Sequence, residues 1–446
     1  MKELFRHHFD AAKLRGPAWL QKLKGESFER FVALGLPTTD LESWHYTSLD
    51  PLSKIAFAPA VREERGGVIE NDFLERSAFC PKDAVRLVFV NGYYSARLSS
   101  VQGLPEGVRI ANLSTLVEQS PDLAQKLILG FETRDRPFAA LNTAFLNDGA
   151  VVLLPKGIVV DRPIYLCHVS WTDGTGDKPT VSHPRSFVVA EEGAHATIVE
   201  VYVGAGKTSY LTNAVTEIVA GERAVVDHYV LQQESGNAFH LRSLDIRQEA
   251  SSNVSTFNVS LGGGLARSES NTVLNAEGAE CALNGLYMVT GRQHVDNQTS
   301  IDHAKPHGTS NELYKGILSG QSTGVFNGRI HVRPDAQKTV SRQTNKNLLL
   351  SDEALVNTKP LLEIFANDVK CNHGATIGRL DGNQVFYLRS RGLSDAHARS
   401  LLTYAFASDL VSKVKVPTLQ VGLEKWIFRR LLSAELPAGV SGRGAL

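Results

Sequence analysis

The sequence predicts a mainly β protein built around a β-solenoid, with α-helical regions before and after it. Three observations carry this. From residue 151 to residue 388, short runs rich in valine, isoleucine and threonine alternate with bends that contain glycine or an acid, the composition of strands joined by tight turns. The bends recur at a fixed interval. Glu192-Gly193-Ala194, Ala220-Gly221-Glu222, Glu249-Ala250-Ser251 and Glu277-Gly278-Ala279 are centred at 193, 221, 250 and 278, in steps of 28, 29 and 28 residues. On either side of this stretch, apolar residues return at helical spacing instead.

The elements follow in order. Residues 1–150 read as a mainly helical N-terminal region. Leu4, Phe5, Phe9 and Ala12 share one helical face, as do Phe28, Phe31 and Val32. The second run stops at Gly35 with Pro37 beyond it, because glycine tolerates positive φ and proline cannot continue the hydrogen-bond ladder. The run from Val85 to Val90 reads as a strand before the turn dipeptide Asn91-Gly92, and helical pattern returns over residues 113–129.

Residues 151–388 form the solenoid core. No long helical pattern fills the gaps between bends, which excludes a βαβ array, and a repeat of strands and corners stacks as coils. A β-sandwich is the competing all-β reading, but it gives no reason for so regular a step. The period weakens after 278. The next comparable bend is Ser319-Gly320-Gln321, so an inserted polar segment or an irregular rung is expected between them.

Residues 389–446 form a C-terminal helical domain. Ser394-Asp395 supplies an N-cap; Leu402, Phe406 and Leu410 follow at four-residue steps, with Ala398, Leu401 and Ala405 beside them. Pro417 breaks the element. A second amphipathic run carries Leu419, Leu423, Trp426, Ile427 and Leu431 on one face. The tail, residues 437–446, is expected to be disordered.

Composition narrows the function classes. Lysine plus arginine and aspartate plus glutamate both number 47, for a formal net charge of zero, which argues against general binding to nucleic acid or anionic membranes. The N-terminal residues lack a secretory apolar core, and no run approaches the ~18 apolar residues of a membrane span. A soluble, cytoplasmic protein is expected. The four cysteines, Cys80, Cys167, Cys281 and Cys371, are scattered singly, so neither a disulfide framework nor a cysteine-only zinc site is indicated. Cys80, Cys167 and Cys281 read as small buried hydrophobes.

Motifs for common chemistries are missing. Leu261-Gly262-Gly263-Gly264-Leu265 lacks the G-K-[ST] ending of a phosphate loop and reads as a solenoid corner. No nucleophile elbow, H-E-x-x-H or kinase signature occurs. His294, His303, His307 and His331, with Asp296 and Asp302, bring together imidazole and carboxylate groups suited to iron or zinc. They equally suit polar side chains that bond exposed corners, and both readings stay open. In Asp368-Val369-Lys370-Cys371-Asn372-His373-Gly374-Ala375-Thr376, Cys371 and His373 lie two apart, so an extended chain projects thiol and imidazole to one face. That is half of a tetrahedral metal site, with Lys370 placed to lower the thiol pKa. The alternative is a buried cysteine beside a corner histidine.

From Leu261 to Gly392 the sequence resembles the SufB/SufD family of iron–sulfur cluster assembly scaffolds. The resemblance rests on Asp296-Asn297, Asp302-His303, Pro306-His307, Glu312-Leu313-Tyr314-Lys315-Gly316, Gly324-Val325-Phe326-Asn327-Gly328 and Gln343-Thr344-Asn345. It continues through Asn347-Leu348-Leu349-Leu350-Ser351-Asp352, Asn357-Thr358-Lys359-Pro360, the Cys371/His373 segment and Phe386-Tyr387-Leu388-Arg389-Ser390-Arg391-Gly392. Pro37-Thr38-Thr39-Asp40-Leu41-Glu42-Ser43-Trp44-His45-Tyr46-Thr47 and the Lys370–Thr376 form are similar to the SufD branch.

The resemblance implies a right-handed parallel β-helix between helical domains and a non-catalytic role. It implies a heterodimer with SufB that binds two copies of the SufC ATPase, and a possible homodimer of the isolated chain. SufC would dock on the C-terminal helical region around Ser394, Ala398, Leu401, Leu402, Ala405 and Phe406. His373, with Cys371, would face the SufB interface and help to ligate a transient iron–sulfur cluster, none being held tightly by the isolated chain. His303 and His307 are further metal candidates, although relatives commonly carry cysteine where this chain has Gly308. Two readings outside the family are a polysaccharide-active β-helix enzyme and a self-sufficient histidine-rich metalloprotein.

Overall fold

The protein was analysed as a computed structural model, which describes residues 2–11, 16–60, 62, 69–130, 136–171, 178–205 and 208–433. The expected tail, residues 437–446, and Ala12 lie outside these. From Ala150 onward the chain passes back and forth between two sheets and builds a solenoid of about 7 turns. The first sheet stacks Ala150–Leu154, Arg185–Ala190, Tyr210–Ala220, Ala238–Gln248, Leu265–Leu274, His294–His303, Thr323–Val332 and Leu355–Ile364 in parallel. The second stacks Val159–Trp171, His195–Ala205, Val225–Gln233, Asn253–Ser260, Glu280–Val289, Thr309–Leu318, Val340–Leu349 and Lys370–Gly378, also in parallel, with Val85–Val90 added at its beginning. The expected strand over residues 85–90 is therefore present, and it joins the solenoid wall.

A row of corners explains both the visible period and its apparent loss. Gly193, Arg223, Ser251, Gly278, His307 and Lys338 occupy successive turns, each with φ between 54° and 70°. The N–H of each donates to a carbonyl of the next turn, from Gly193 to Glu222 through His307 to Gln337 and Lys338 to Asp368. The rung after 278 is thus regular. It escapes the sequence pattern because Pro306-His307-Gly308 and Gln337-Lys338-Thr339 lack the glutamate common to the four earlier bends. Gly320 belongs to the opposite row of corners, with Gly263 and Gly291. At Gly262 a β-carbon would overlap the Glu234 carbonyl oxygen of the adjacent corner, so the glycine run there serves close coil stacking.

The helices cover the outer faces. N-terminal helices Lys2–Ala11, Ala18–Leu34 and Pro137–Ala144 pack Phe5, Phe28, Phe31, Phe138 and Leu141 with Leu211, Leu241 and Leu265 of the first sheet. C-terminal helices Asp395–Val411 and Pro417–Ser433 place Leu410, Leu419, Leu423 and Ile427 on Val199, Val201, Leu231 and Val259 of the second. No helix among the described residues is long and apolar enough to cross a membrane.

Candidate functional site

The two ends of the solenoid are finished differently. At its beginning, short antiparallel strands line the edges: Tyr93–Tyr94 against Val85–Val90, and Arg109–Asn112 against Ala150–Leu154. At its end, Leu355–Ile364 and Lys370–Gly378 are the outermost strands, and no described strand pairs with their free edges. Leu355, Ile364, Phe365 and Ile377 are exposed there, Phe365 by 59%. Cys371 and His373 lie on this last strand. Cys371 is half-buried beside Ile330, Val332, Ala336 and Ala366, whereas His373 is exposed. Burial pushes the Cys371 thiol pKa up, with a backbone bond from Ser341 acting the other way. The expectation that Lys370 lowers that pKa fails, because adjacent residues of a strand point to opposite faces.

Behind these two residues run two polar columns set by in-register stacking. Cys281, Ser310, Ser341 and Cys371 are successive partners in one; Leu283, Glu312, Gln343 and His373 in the other. In the first, His303 Nε2 lies 2.9 Å from Ser310 Oγ, which lies 2.7 Å from Ser341 Oγ. In the second, Gln343 Nε2 donates to Glu312 Oε2 at 2.7 Å, and both side chains are fully buried. Burial raises the Glu312 carboxyl to about 7 and lowers the His303 imidazole to about 4. Sequence reading missed Glu312 and Gln343 as site residues. The signal available was their period-two alignment with the inward-facing Ser310, Tyr314, Ser341 and Asn345.

The imidazole and carboxylate groups around residue 300 are dispersed rather than gathered. His303 points into the lumen. His307 sits exposed at its corner, Nε2 3.7 Å from Glu277 Oε1. His294 Nε2 lies 2.9 Å from Thr47 Oγ1, and His331 Nδ1 lies 3.1 Å from Glu363 Oε2. Asp296 pairs with Arg267, and Asp302 with Arg333 at 2.6 Å. Among the described residues no three histidines, cysteines or acids come together closely enough to hold a metal ion. A β-carbon at Gly308 would stand 2.7 Å from His303 Nδ1, so a cysteine at this position would require that ring to move.

Comparison with known proteins decides the family. Residues 172–406 match the SUF system FeS cluster assembly SufBD core domain, and residues 1–166 match the SufBD protein N-terminal region. The chain is 36% identical over 413 residues to an iron–sulfur cluster assembly SufBD family protein of Synechocystis, covering 90% of this chain and 88% of that one. It is 32% identical over 438 residues to the iron–sulfur cluster assembly protein SufD of Escherichia coli, covering 98% and 96%. To the chloroplastic protein ABCI7 of Arabidopsis thaliana it is 32% identical over 400 residues, covering 88% and 82%. This chain belongs to the SufB/SufD family of the SUF iron–sulfur cluster assembly system.

The SufB/SufD core match takes in the open end and most of helix Asp395–Val411. Ser394 caps that helix, its Oγ accepting from His397 N at 3.1 Å. Ala398 is buried, Leu402 and Phe406 are half-buried, and Leu401 and Ala405 face outward. Phe406 lies under Lys315, whose Nζ sits 4.8 Å from the ring centroid and 2.5 Å from Asp409 Oδ2. Helix Gly382–Ser390 exposes Phe386 by 71% and Tyr387 by 57%, and the last helix exposes Phe428 by 55%. The six residues named from the sequence therefore divide between a packing face and an outward face. Phe428 of the last helix lies edge-on to Tyr404, ring centroids 6.4 Å apart.

Proposed function

We propose that this chain is a non-catalytic scaffold subunit of a SufBCD complex. It pairs through its open solenoid end with SufB and binds the SufC ATPase, two copies per complex, through its C-terminal helical face. The observation that carries this is the pair of free edge strands, the last of which bears Cys371 and His373. Natural sheets usually blunt an exposed edge, because its unpaired N–H and C=O groups invite another chain. Here the apolar groups around the edge favour covering rather than blunting. A second solenoid adding its own edge strands would satisfy the backbone and bury Leu355, Phe365 and Ile377. It would also bring its ligands against a half-complete thiol–imidazole set. The transient cluster is cargo assembled between the chains.

The test is anaerobic co-purification of the tagged chain with SufB and SufC, followed by cluster loading of wild type and His373→Ala. A complex of one copy of each scaffold and two ATPases is expected, with loading reduced in His373→Ala at unchanged subunit ratio. A chain that captures neither partner would refute the scaffold assignment. Wild-type loading in the variant would remove His373 from the cluster site.

A further inference from the structure

We infer that Gln343 is a positioning residue for His373, its side-chain oxygen serving as the acceptor that fixes which nitrogen of the His373 ring carries the proton. The argument starts from an orphan. Gln343 is fully buried, its Nε2 is committed to Glu312 Oε2 at 2.7 Å, and its Oε1 is a buried acceptor with no hydrogen-bond partner among the described residues. An atom left in that state calls for an explanation, since buried polar groups are almost always bonded.

Register points to a partner, although the two side chains are not bonded in this structure. Gln343 and His373 are direct partners on adjacent parallel strands, which run roughly 4.8 Å apart. In-register partners share a face, and the Gln343–Glu312 bond shows that this face is the lumen. The amide is also held the right way round. Across the lumen a β-carbon at residue 328 would overlap Gln343 Nε2, so Gly328 leaves room for the nitrogen end and the oxygen end stays unpaired. Apart from the amide itself, His373 is the side chain of this column with an N–H to give, and no described strand lies beyond it.

An imidazole that donates one N–H to a fixed carbonyl oxygen presents its other nitrogen with a free lone pair. That is the form in which histidine ligates a metal, and an outer acceptor of this kind both orients the ring and raises its basicity. Glu312 sits one turn deeper and anchors the amide that does the orienting. The inference deepens the cluster-facing reading of His373 and rests on it for its purpose. The tautomer itself can be read without a cluster.

The experiment is long-range imidazole 15N–1H correlation NMR on the full chain, with His373 assigned by the signals lost in His373→Ala. Wild type is expected to hold His373 in one tautomer. Gln343→Met, close in volume but without an acceptor, should give averaged tautomers, and Glu312→Gln, which keeps an acceptor for the amide, should retain the single one. In the complex, Gln343→Met should then slow cluster loading roughly 10-fold, the size usual for losing an outer-shell partner. Averaged tautomers in wild type, an unchanged tautomer in Gln343→Met, or a changed tautomer with unchanged loading would each overturn the positioning role. If His373→Ala itself loads normally, the cluster-facing reading falls, while the tautomer result still decides whether Gln343 orients the ring.

Discussion

The first and last turns of the solenoid share strand geometry but differ in how they stop. The early lumen packs Val152, Val188, Ala196, Ile198, Ile218 and Val226 together beside a buried polar cluster in which Ser186 and Thr216 donate to Glu200, and antiparallel strands line its edge. The last turns carry Ser310, Glu312, Gln343, Asn345 and Asn347 inward and end on bare strands. The apolar layers of either lumen stabilise by burial whatever lies beyond them. A polar lumen is stable only while its groups bond one another, as in the Gln343–Glu312 bond and that from Asn347 Nδ2 to Asn345 Oδ1 at 2.6 Å. What separates the two ends is therefore the finish of their edges, lined by antiparallel strands at the beginning and without a described partner strand at the end.

The contrast is broken most easily by cavity mutants. Ile198→Ala should lower unfolding stability by about 2–5 kcal/mol in denaturant titration, whereas Ile377→Ala on the exposed last strand should stay within ~0.5 kcal/mol yet weaken capture of SufB. Equal losses at the two sites would mean that the end is packed like the beginning.

The polar lumen should also show itself in pH dependence. Burial raises the folded-state pKa of Glu312 to about 7, above the ordinary carboxyl value, so the folded state holds a proton that the unfolded chain has released. The stability tied to that proton is present below about pH 4.5 and is lost as pH rises to about 7. It amounts to about 3 kcal/mol at ~1.4 kcal/mol per pKa unit. Urea midpoints of wild type against Glu312→Gln across that range should diverge, with the variant flatter. Parallel curves would place the proton elsewhere.

The smallest effect should come from the corners. His307→Gly relieves a left-handed residue, worth about 1–2 kcal/mol, against the extra backbone entropy of glycine, about 0.5–1 kcal/mol. A gain of up to ~1 kcal/mol is expected, with cluster loading unchanged. A loading defect would give His307 a ligand role that its exposed corner position does not suggest.

Much of this architecture was legible in the chain. The bends at 193, 221, 250 and 278, the strand at residues 85–90 and the helical faces of Phe28 and Leu410 were readable because they depend on spacing and on local composition, each of the four bends carrying a glutamate. The rung after 278 was not, because the corners at His307 and Lys338 lack the glutamate common to the four earlier bends, and nothing in the sequence says that a histidine will adopt φ of 59°. The pairing of Cys371 with His373 was legible from their two-residue spacing. Their different burial was not, because it depends on Ile330 and Val332 one turn away.

The sequence by itself determined the family, the alternation of strand and corner, and the flanking helices, since all of these are local patterns or direct likeness. The tertiary structure alone decided which alternate residues face the lumen, that His303 is buried against Ser310, that Gln343 bonds Glu312 beneath His373, and that stacking stops with both edges bare. Those outcomes follow from register between strands about 30 residues apart in sequence. A one-residue slip would turn every one of these side chains to the opposite face.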